Sequence, residues 1–278
     1  MAQNIIFNSL KDSLYSIRRN KSLFILLCVM QIIFLISFFY ITSIYIPRIY
    51  ESSKKIIDYL QQQKIDESSV DINILKQKNI LGDDPLSISR NFNDAVKNFR
   101  FYLLYTFILL TFSISLFWGI TTKLTHGHNI RRMIKVTRKI FVIAFFYLGL
   151  IFLFFFSITN ISFFSVAEGA QRILIKYLSF LLLSPTLIYF MYVSIALSNK
   201  NELKNIVQRT LYFGIKDVHY VLSVYFVNLC LLAISIASII YFVENFYFLM
   251  LSLVFLVLIL IFGRIFMINV VDRLGDKG

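Results

Sequence analysis

Six long apolar runs, separated by short polar segments, dominate the pattern of this chain. Each run is close to or above the ~20 residues that an α-helix needs to cross the hydrocarbon core of a bilayer. Lipid offers the backbone no hydrogen-bond partner, so such a run must satisfy its own N–H and C=O groups as a helix. The sequence therefore predicts an all-α, polytopic membrane bundle. Its six transmembrane helices, TM1 to TM6, are predicted at residues 22–46, 101–122, 140–158, 173–197, 218–242 and 246–270.

The longest polar segment, residues 47–100, lies between TM1 and TM2. Apolar residues recur there at helical spacings, with Ile46, Ile49, Ile56, Ile57 and Leu60 following TM1 and Phe92, Val96, Phe99 and Leu103 leading into TM2. Residues 78–85 carry turn chemistry, with Gly, Asp and Pro together. We therefore expect TM1 and TM2 to extend out of the membrane and to pack as an antiparallel pair, forming a small helical stalk.

The other polar segments are basic and amphipathic. They comprise residues 1–21, 123–139 and 198–217, and their apolar faces include Ile6, Leu10, Leu14 and Ile17 in the first, Ile130, Met133 and Ile134 in the second, and Leu203, Ile206, Val207 and Leu211 in the third. Such helices are expected to lie in the membrane interface. Gln31 and Asn228 fall at the same offset beyond the first and third segments, which suggests three repeats of an interfacial helix plus a transmembrane hairpin.

Composition and charge agree with this pattern and add an orientation. The chain is 58% hydrophobic with 30 Phe, and it carries a formal net charge of +13. The Lys and Arg residues concentrate in the three amphipathic segments, and Lys and Arg excess marks the cytoplasmic side. We expect a multi-pass protein of the plasma membrane with both termini in the cytoplasm and the stalk outside. The expected partners are anionic lipid headgroups at the basic loops, and the charge calls for no nucleic acid.

Polar residues inside the predicted spans are the candidate functional residues. Gln31 and Asn228 serve either as interhelical hydrogen-bonding groups or as part of a substrate path. Ser184 and Pro185 interrupt TM4, so a kink is expected there, either for packing alone or as a hinge. Arg264 lies near the cytoplasmic end of TM6, from where its side chain is expected to extend to the headgroups. No span carries Asp or Glu near its middle, which argues against a proton- or sodium-coupled carboxylate relay.

Catalytic and metal-binding chemistry is not predicted. His126 and His128 resemble a metal motif, but they lack a third ligand nearby in the sequence, and zinc requires three or four. We interpret them as part of an interfacial loop. The chain has no Ser/His/Asp set, no paired carboxylates at catalytic spacing and no glycine-rich phosphate loop. The sequence thus predicts neither an enzyme nor a cofactor.

The segment at residues 9–26, SLKDSLYSIRRNKSLFIL, resembles the start of several prokaryotic six-helix membrane families. Among these are archaeal membrane proteins and the membrane domain attached to some glycerophosphodiester phosphodiesterases. A short amphipathic helix and a basic-Asn-basic step precede the first span there too, and the joint at residues 212–218 is similar. The resemblance implies a six-helix membrane domain without catalytic residues of its own. The outer segment at residues 47–100 departs from it.

Two functions are compatible with these observations. The first is a non-enzymatic scaffold or accessory protein that binds a partner protein or lipid. The second is a permease subunit that resembles exporters of the ABC class, which also have an interfacial N-terminal helix, an outer domain after the first span and a cytoplasmic coupling helix. That coupling helix would be residues 129–139 here, and a separate ATPase would be required.

Overall fold

The computed structural model of the protein describes residues 2–62, 85–164, 170–199 and 202–275. These residues form an all-helical structure without strands. The helices are α1 (Ala2–Arg19), α2 (Lys21–Gln62), α3 (Pro85–His126), α4 (Ile130–Phe164), α5 (Ala170–Leu197), α6 (Leu203–Lys216), α7 (Val218–Tyr241) and α8 (Phe246–Gly275).

Among the described residues, six helices are long and apolar enough to cross a membrane, namely α2, α3, α4, α5, α7 and α8. The chain is thus a multi-pass membrane protein, and the all-α bundle predicted from the pattern of apolar runs is confirmed. The two remaining helices, α1 and α6, are short and amphipathic.

The helices α2 and α3 are much longer than a bilayer requires. Each has 42 residues, which at a rise of 1.5 Å per residue is about 63 Å, against a hydrocarbon core of about 30 Å. Helix α2 continues without interruption through Pro47 to Gln62. The turn of the stalk, predicted at residues 78–85, lies almost wholly outside the part of the chain that the structure describes.

The chain divides into two compact units. The first unit comprises Met1–Leu35, Thr111–Tyr147 and Thr186–Gly278, and the second comprises Ile36–Leu110 and Leu148–Pro185. The helices α2, α3, α4 and α5 each contribute one segment to either unit, whereas α1, α6, α7 and α8 belong to the first alone.

Aromatic rings pack the helices of the second unit together. The rings of Tyr45 on α2 and Tyr105 on α3 stack with their centroids 5.8 Å apart. Phe155 on α4 lies 6.1 Å from Phe99 on α3 and 5.4 Å from Phe180 on α5. From residue 45 to residue 58 of α2 the half-buried positions share one helical face, namely Tyr45, Ile49, Ser52, Ser53 and Ile56, while Tyr50 and Ile57 are exposed. The spacing of these positions is that of a helix with one face against a neighbour.

In the first unit, α2 and α3 run antiparallel around an apolar core. Asn20, at the break between α1 and α2, donates its Nδ2 hydrogen to the Leu124 carbonyl at 2.8 Å. Further along, the rings of Phe34 and Phe117 meet edge to face at 5.8 Å. The core between them consists of Leu27, Phe117, Ile120, Leu124, Val257, Ile261 and Ile265.

Each of the two short helices packs on the end of a transmembrane helix through a hydroxyl group. On α1, the Ser13 hydroxyl accepts a hydrogen bond of 2.9 Å from Nδ2 of Asn269 on α8. On α6, the Thr210 hydroxyl lies 3.0 Å from the Ser194 hydroxyl on α5. In both cases the Ser or Thr lies seven residues before the break that precedes the next helix.

In the second predicted repeat, a close approach of Thr137 to Gly119 joins the start of α4 to α3. A Cβ added to Gly119 would overlap the Thr137 hydroxyl, so a glycine is required for the two helices to approach this closely. All three predicted repeats therefore place a Ser or Thr of the amphipathic segment against the end of a transmembrane helix. The three contacts differ in geometry, with a hydrogen bond to Asn269, a hydroxyl pair with Ser194 and a close approach to Gly119, and the three-repeat pattern stays a prediction.

Candidate functional site

The most deeply buried charge among the described residues is the guanidinium of Arg264 on α8. Arg264 is 6% exposed, and Gln31 on α2 is 3% exposed. Nη2 of Arg264 donates a hydrogen bond of 3.1 Å to Oε1 of Gln31. The guanidinium carbon also lies 4.9 Å from the centroid of the Phe117 ring on α3. The expectation that this side chain extends to the headgroups is wrong, because two inward-facing partners hold it inside the bundle.

Burial of this charge depends on the groups around it. An unpaired buried charge is costly, and the amide oxygen of Gln31 and the ring face of Phe117 offset part of that cost. Compensation is incomplete, since no described residue accepts a hydrogen bond from Nε of Arg264. The sequence identified Gln31 and Arg264 as separate polar residues but gave no sign that they meet.

Asn228 on α7 bonds Gly263, the residue that precedes Arg264 on α8. Its Nδ2 donates to the carbonyl oxygen of Gly263 at 3.3 Å. A Cβ added to Gly263 would lie 2.9 Å from Oδ1 of Asn228, so the glycine makes room for the amide. Gln31 and Asn228, which occupy the same offset in their repeats, thus bond consecutive residues of α8. Both form interhelical hydrogen bonds, the first of the two roles considered for them.

A pocket of about 220 Å³ lies beside Asn228 in the first unit. It is formed by α5, α7 and α8, and its lining consists of Ile188, Tyr192, Tyr225, Asn228, Leu229, Leu232, Ile259, Leu260 and Gly263. The lining is mainly aliphatic, with two phenol rings and one amide. Gln31 is not part of it, so this pocket is no path that joins the two amides.

Ser184 and Pro185 belong to a different part of the structure. Both lie in the second unit, and α5 continues as a helix through Pro185 to Leu197. Gln31 and Asn228 both bond α8, the helix that carries Arg264. Ser184 and Pro185 lie in the second unit, which contains the aromatic contacts described above. The hinge role considered for these two residues stays a prediction.

Two histidines form a polar cluster that the sequence did not predict. Nε2 of His126 donates to Oδ2 of Asp272 on α8 at 2.7 Å, and Nε2 of His128 bonds Oδ1 of Asn199 at 2.9 Å. The two imidazole rings stack with centroids 5.1 Å apart. Gly127 between them has a φ of 66°, a conformation that favours glycine and that allows the rings to face each other.

Electrostatics at this cluster favour a neutral His128. Burial lowers the pKa of His128 from its usual value, and the positive charge of Arg132 adds to the effect, whereas the bond to Asn199 opposes it. Within the described residues, no group of three His, Cys, Asp or Glu lies close enough together to hold a metal ion. The pairing with Asp272 and Asn199 could not have been read from the sequence, because 146 and 71 residues separate the partners.

Helix α1 divides into three faces. Its protein-facing side is formed by Ile5 and a row of buried serines, Ser9, Ser13 and Ser16. Beside it runs the apolar face predicted from the sequence, half-buried or exposed, with Ile6, Leu10, Leu14 and Ile17. The third face is exposed and basic and carries Lys11, Arg18 and Arg19.

Helix α6 repeats this arrangement. The buried residues are Ile206, Thr210, Phe213 and Gly214. The exposed apolar residues recur every four positions, at Leu203, Val207, Leu211 and Ile215. The exposed polar residues Asn205, Gln208, Arg209, Tyr212 and Lys216 form another face, whereas the exposed Lys204 lies on the apolar face, at the start of the helix. At 100° per residue, the buried, apolar and polar faces follow one another in the same rotational order on α1 and α6.

Comparison with protein-family models, curated proteins and solved structures finds no significant match to this chain. The function must therefore be argued from the contacts of the chain itself. Inside the bundle, Gln31, Asn228 and Arg264 form hydrogen bonds between helices. On the short helices α1 and α6, exposed charged residues lie beside exposed apolar residues.

Proposed function

We propose that this protein is a non-enzymatic membrane scaffold whose short helices, α1 and α6, lie in the membrane interface and bind anionic lipid headgroups. The observation that carries the proposal is the common three-face arrangement of these helices. A helix that buries one face in protein and exposes an apolar face beside a basic face fits the boundary between hydrocarbon and headgroups.

The degree of exposure supports this role. Val207 and Ile215 on α6 are 63% and 65% exposed, respectively. Aliphatic residues this exposed at a regular four-residue spacing are expected to contact lipid. With that face in the acyl region, Arg209 and Lys216 on the adjacent face lie at the depth of the headgroups, where each cation contributes about 1 kcal/mol of attraction to an anionic membrane.

The side of the membrane follows from the positive-inside rule. Basic residues crowd the three amphipathic segments, so we place these segments and both termini in the cytoplasm and the ends of α2 and α3 outside, in the plasma membrane. Single cysteines at Asp58 and Lys204, in a chain without Cys28 and Cys230, test this orientation. In intact cells an impermeant thiol reagent should label the cysteine at 58 and not the one at 204. The reverse labelling would contradict the orientation.

Lipid selectivity tests the proposed binding. We expect the protein in mixed vesicles to associate with spin-labelled phosphatidylserine in preference to phosphatidylcholine. Changing Lys204, Arg209 and Lys216 to Gln should lower that preference by about fivefold for each cation that contacts the headgroups, since each is worth about 1 kcal/mol. The matched control changes Lys54, Lys55 and Lys97 to Gln on the stalk and should leave it unchanged. Equal loss in both variants would mean that overall charge, rather than α6, selects the lipid.

The alternative is a permease subunit that works with a separate ATPase. Such a protein needs a path through the bundle, and the pocket beside Asn228 is the feature that favours it. Against it, Gln31 and Asn228 each bond α8. Purification from native membranes should recover an ATPase if the protein is a permease subunit, and its vesicles should transport upon addition of ATP. The relation to the membrane domain of glycerophosphodiester phosphodiesterases likewise stays a proposal.

A further inference from the structure

The amphipathic segment that leads into α4 carries only positive charge. Residues 123–139 contain six Lys or Arg and no Asp or Glu. The other two amphipathic segments each include acidic residues, Asp12 in the first and Glu202 and Asp217 in the third. Like charges one turn apart destabilise a helix, so a segment of this composition is stabilised by an anionic partner.

The cations surround one residue, Lys135. On a helix surface the nearest neighbours of a residue are those three and four positions away. For Lys135 these four positions hold the other cations of the helix, Arg131, Arg132, Arg138 and Lys139. All but the half-buried Lys139 are exposed, and these four exposed cations form no ion pair with a described residue. A phosphate above Lys135 is therefore within reach of every cation on this basic face of α4.

Contacts on the other side of α4 hold the basic face outward. Val136 is 2% exposed, and Thr137 packs closely against Gly119 of α3. At the end of the face, Nζ of Lys139 donates a hydrogen bond of 3.5 Å to the carbonyl oxygen of Ser198. The rotation of α4 is thus fixed before any ligand binds, and a site organised in advance loses less entropy on binding.

The depth of the basic face favours a lipid headgroup as its ligand. The apolar run of α4 begins at Ile140, and Lys135 lies five residues before it, or about 7.5 Å along the helix. The headgroup layer adds about 5–8 Å to each side of the hydrocarbon core. Beside the basic face, Ile130 and Ile134 are 56% and 50% exposed. Exposed apolar residues next to basic ones are typical of a segment in the membrane interface.

The density of charge distinguishes between anionic headgroups. A phosphodiester headgroup such as phosphatidylglycerol carries one negative charge, whereas a phosphomonoester carries about −1.5 to −2 near pH 7 and presents three terminal oxygens. Arg and Lys bind such oxygens through charge-assisted hydrogen bonds, and nearby cations favour the second ionisation of the phosphate. On α6, Lys204, Arg209 and Lys216 are five and seven residues apart, so they do not surround one point as the cations of α4 do.

We propose that the basic face of α4 binds a lipid with a phosphomonoester headgroup, of the phosphatidic acid type, with its phosphate above Lys135. This inference rests on the proposed function for the placement of the amphipathic segments in the interface, but its cations are not those of α1 or α6. Binding of this kind makes the protein responsive to reactions that add or remove a terminal phosphate on a lipid.

Lipid selectivity of the full chain tests the site. The probes are spin-labelled phosphatidic acid and spin-labelled phosphatidylglycerol, each as a minor component of phosphatidylcholine vesicles at pH 7.5. We expect phosphatidic acid to associate about fivefold better, the factor for one further cation contact of about 1 kcal/mol. Equal association of the two probes with the unaltered protein would overturn the proposal, and is the result expected if the basic face binds an acidic protein instead.

A soluble competitor separates the lipid from free phosphate. Glycerol 3-phosphate at the concentration of the probe should not displace phosphatidic acid, because it has no acyl chain to hold it at the interface. Displacement would show that the ligand is a soluble phosphate compound and would contradict the assignment to a lipid.

Two triple variants locate the binding. Changing Arg131, Lys135 and Arg138 to Gln removes three exposed cations and should abolish the preference for phosphatidic acid over phosphatidylglycerol. The matched control, the α6 variant with Lys204, Arg209 and Lys216 changed to Gln, loses the same charge and should keep that preference. A preference that persists in the α4 variant, or is lost equally in both, would contradict a site on α4. Absence of phosphatidylserine selectivity in the unaltered protein would instead contradict the proposed function.

Discussion

The two units of this protein differ in the contacts that join their helices, because the first unit adds hydrogen bonds between side chains of different helices to ring contacts such as that of Phe34 with Phe117. In the first unit, hydrogen bonds join α8 to α2 through Arg264 and Gln31, and to α7 through Gly263 and Asn228. In the second unit, aromatic rings such as those of Tyr45, Tyr105 and Phe155 fill the spaces between helices.

This difference matters because the two kinds of contact specify structure differently. A hydrogen bond between side chains requires one register and one rotation of each helix, and a mispaired polar group in hydrocarbon is costly. Ring packing depends mainly on shape and volume, and several arrangements of similar energy satisfy it. We therefore expect single substitutions to cost more stability in the first unit than in the second.

The largest effect is expected at Gln31. Gln31→Leu leaves the buried guanidinium of Arg264 without its acceptor, which should lower the free energy of unfolding by about 3 kcal/mol. The double variant Gln31→Leu, Arg264→Met replaces both groups by apolar ones and should recover most of that loss. Steric trapping of the protein in bicelles measures the free energy of unfolding of both variants. A double variant no more stable than Gln31→Leu would mean that the charge has a further stabilising partner.

Two helical glycines compare the units directly. Gly263→Ala in the first unit places a Cβ 2.9 Å from Oδ1 of Asn228 and should cost about 1–3 kcal/mol by overpacking. Gly149→Ala in the second unit meets nothing within 4 Å and should add up to about 1 kcal/mol through helix propensity. The midpoint of unfolding by sodium dodecyl sulfate should therefore move in opposite directions. Equal shifts would remove the contrast between the units.

The sequence predicted the helices of both units better than their contacts. Lipid forces every long apolar run into a helix, so the spans of α7 and α8 followed from composition alone. The partners did not, because Gln31 and Arg264 are 233 residues apart and nothing local links them. Snorkelling was the reasonable expectation for an arginine near a helix end. It was wrong because Gln31 and the Phe117 ring hold the guanidinium of Arg264 inside the bundle.

The protein-facing side of α1 shows a second limit. Its apolar residues predicted an amphipathic helix, but the apolar stripe runs beside the buried side: Leu14 is exposed, Ile6 and Leu10 are half-buried, and Ile17 packs against the apolar core. The buried side consists largely of serines, whose small size allows close approach to α8, and the Ser13 hydroxyl accepts a hydrogen bond from Asn269. A hydrophobicity pattern ranks serine as polar and assigns it to solvent. In a membrane protein, small polar residues also form contacts between helices. An analysis of the spacing of apolar residues does not detect such contacts.

A moderate effect is expected from the rings of the second unit. Phe155→Leu removes two ring contacts, with Phe99 and Phe180, each worth about 0.5–1.5 kcal/mol beyond buried area. We expect a loss of about 1–2 kcal/mol, less than for Gln31→Leu. Phe39→Leu, at an exposed position of the same unit, should be neutral. A loss at Phe155 as large as that at Gln31 would show that the rings specify structure as strongly as the hydrogen bonds do.

The smallest effect is a pH dependence of the first unit at His128. Burial lowers the pKa of this imidazole in the folded protein, whereas the unfolded chain titrates near the usual value of about 6.5. Above that pH His128 is neutral in both the folded and the unfolded state, so it does not make the free energy of unfolding depend on pH. As the pH falls below about 6.5, the unfolded state takes up a proton that the folded state binds less readily, so the free energy of unfolding should decrease.

The control separates His128 from the groups that face it. His126, Arg132 and Asp272 remain in His128→Gln, so any slope that they produce persists there. We expect the unaltered protein to lose slightly more stability between pH 7.5 and pH 5.5 than this variant does, as measured by thermal unfolding in the same detergent. An equal or smaller loss in the unaltered protein would mean that folding does not lower the pKa of His128.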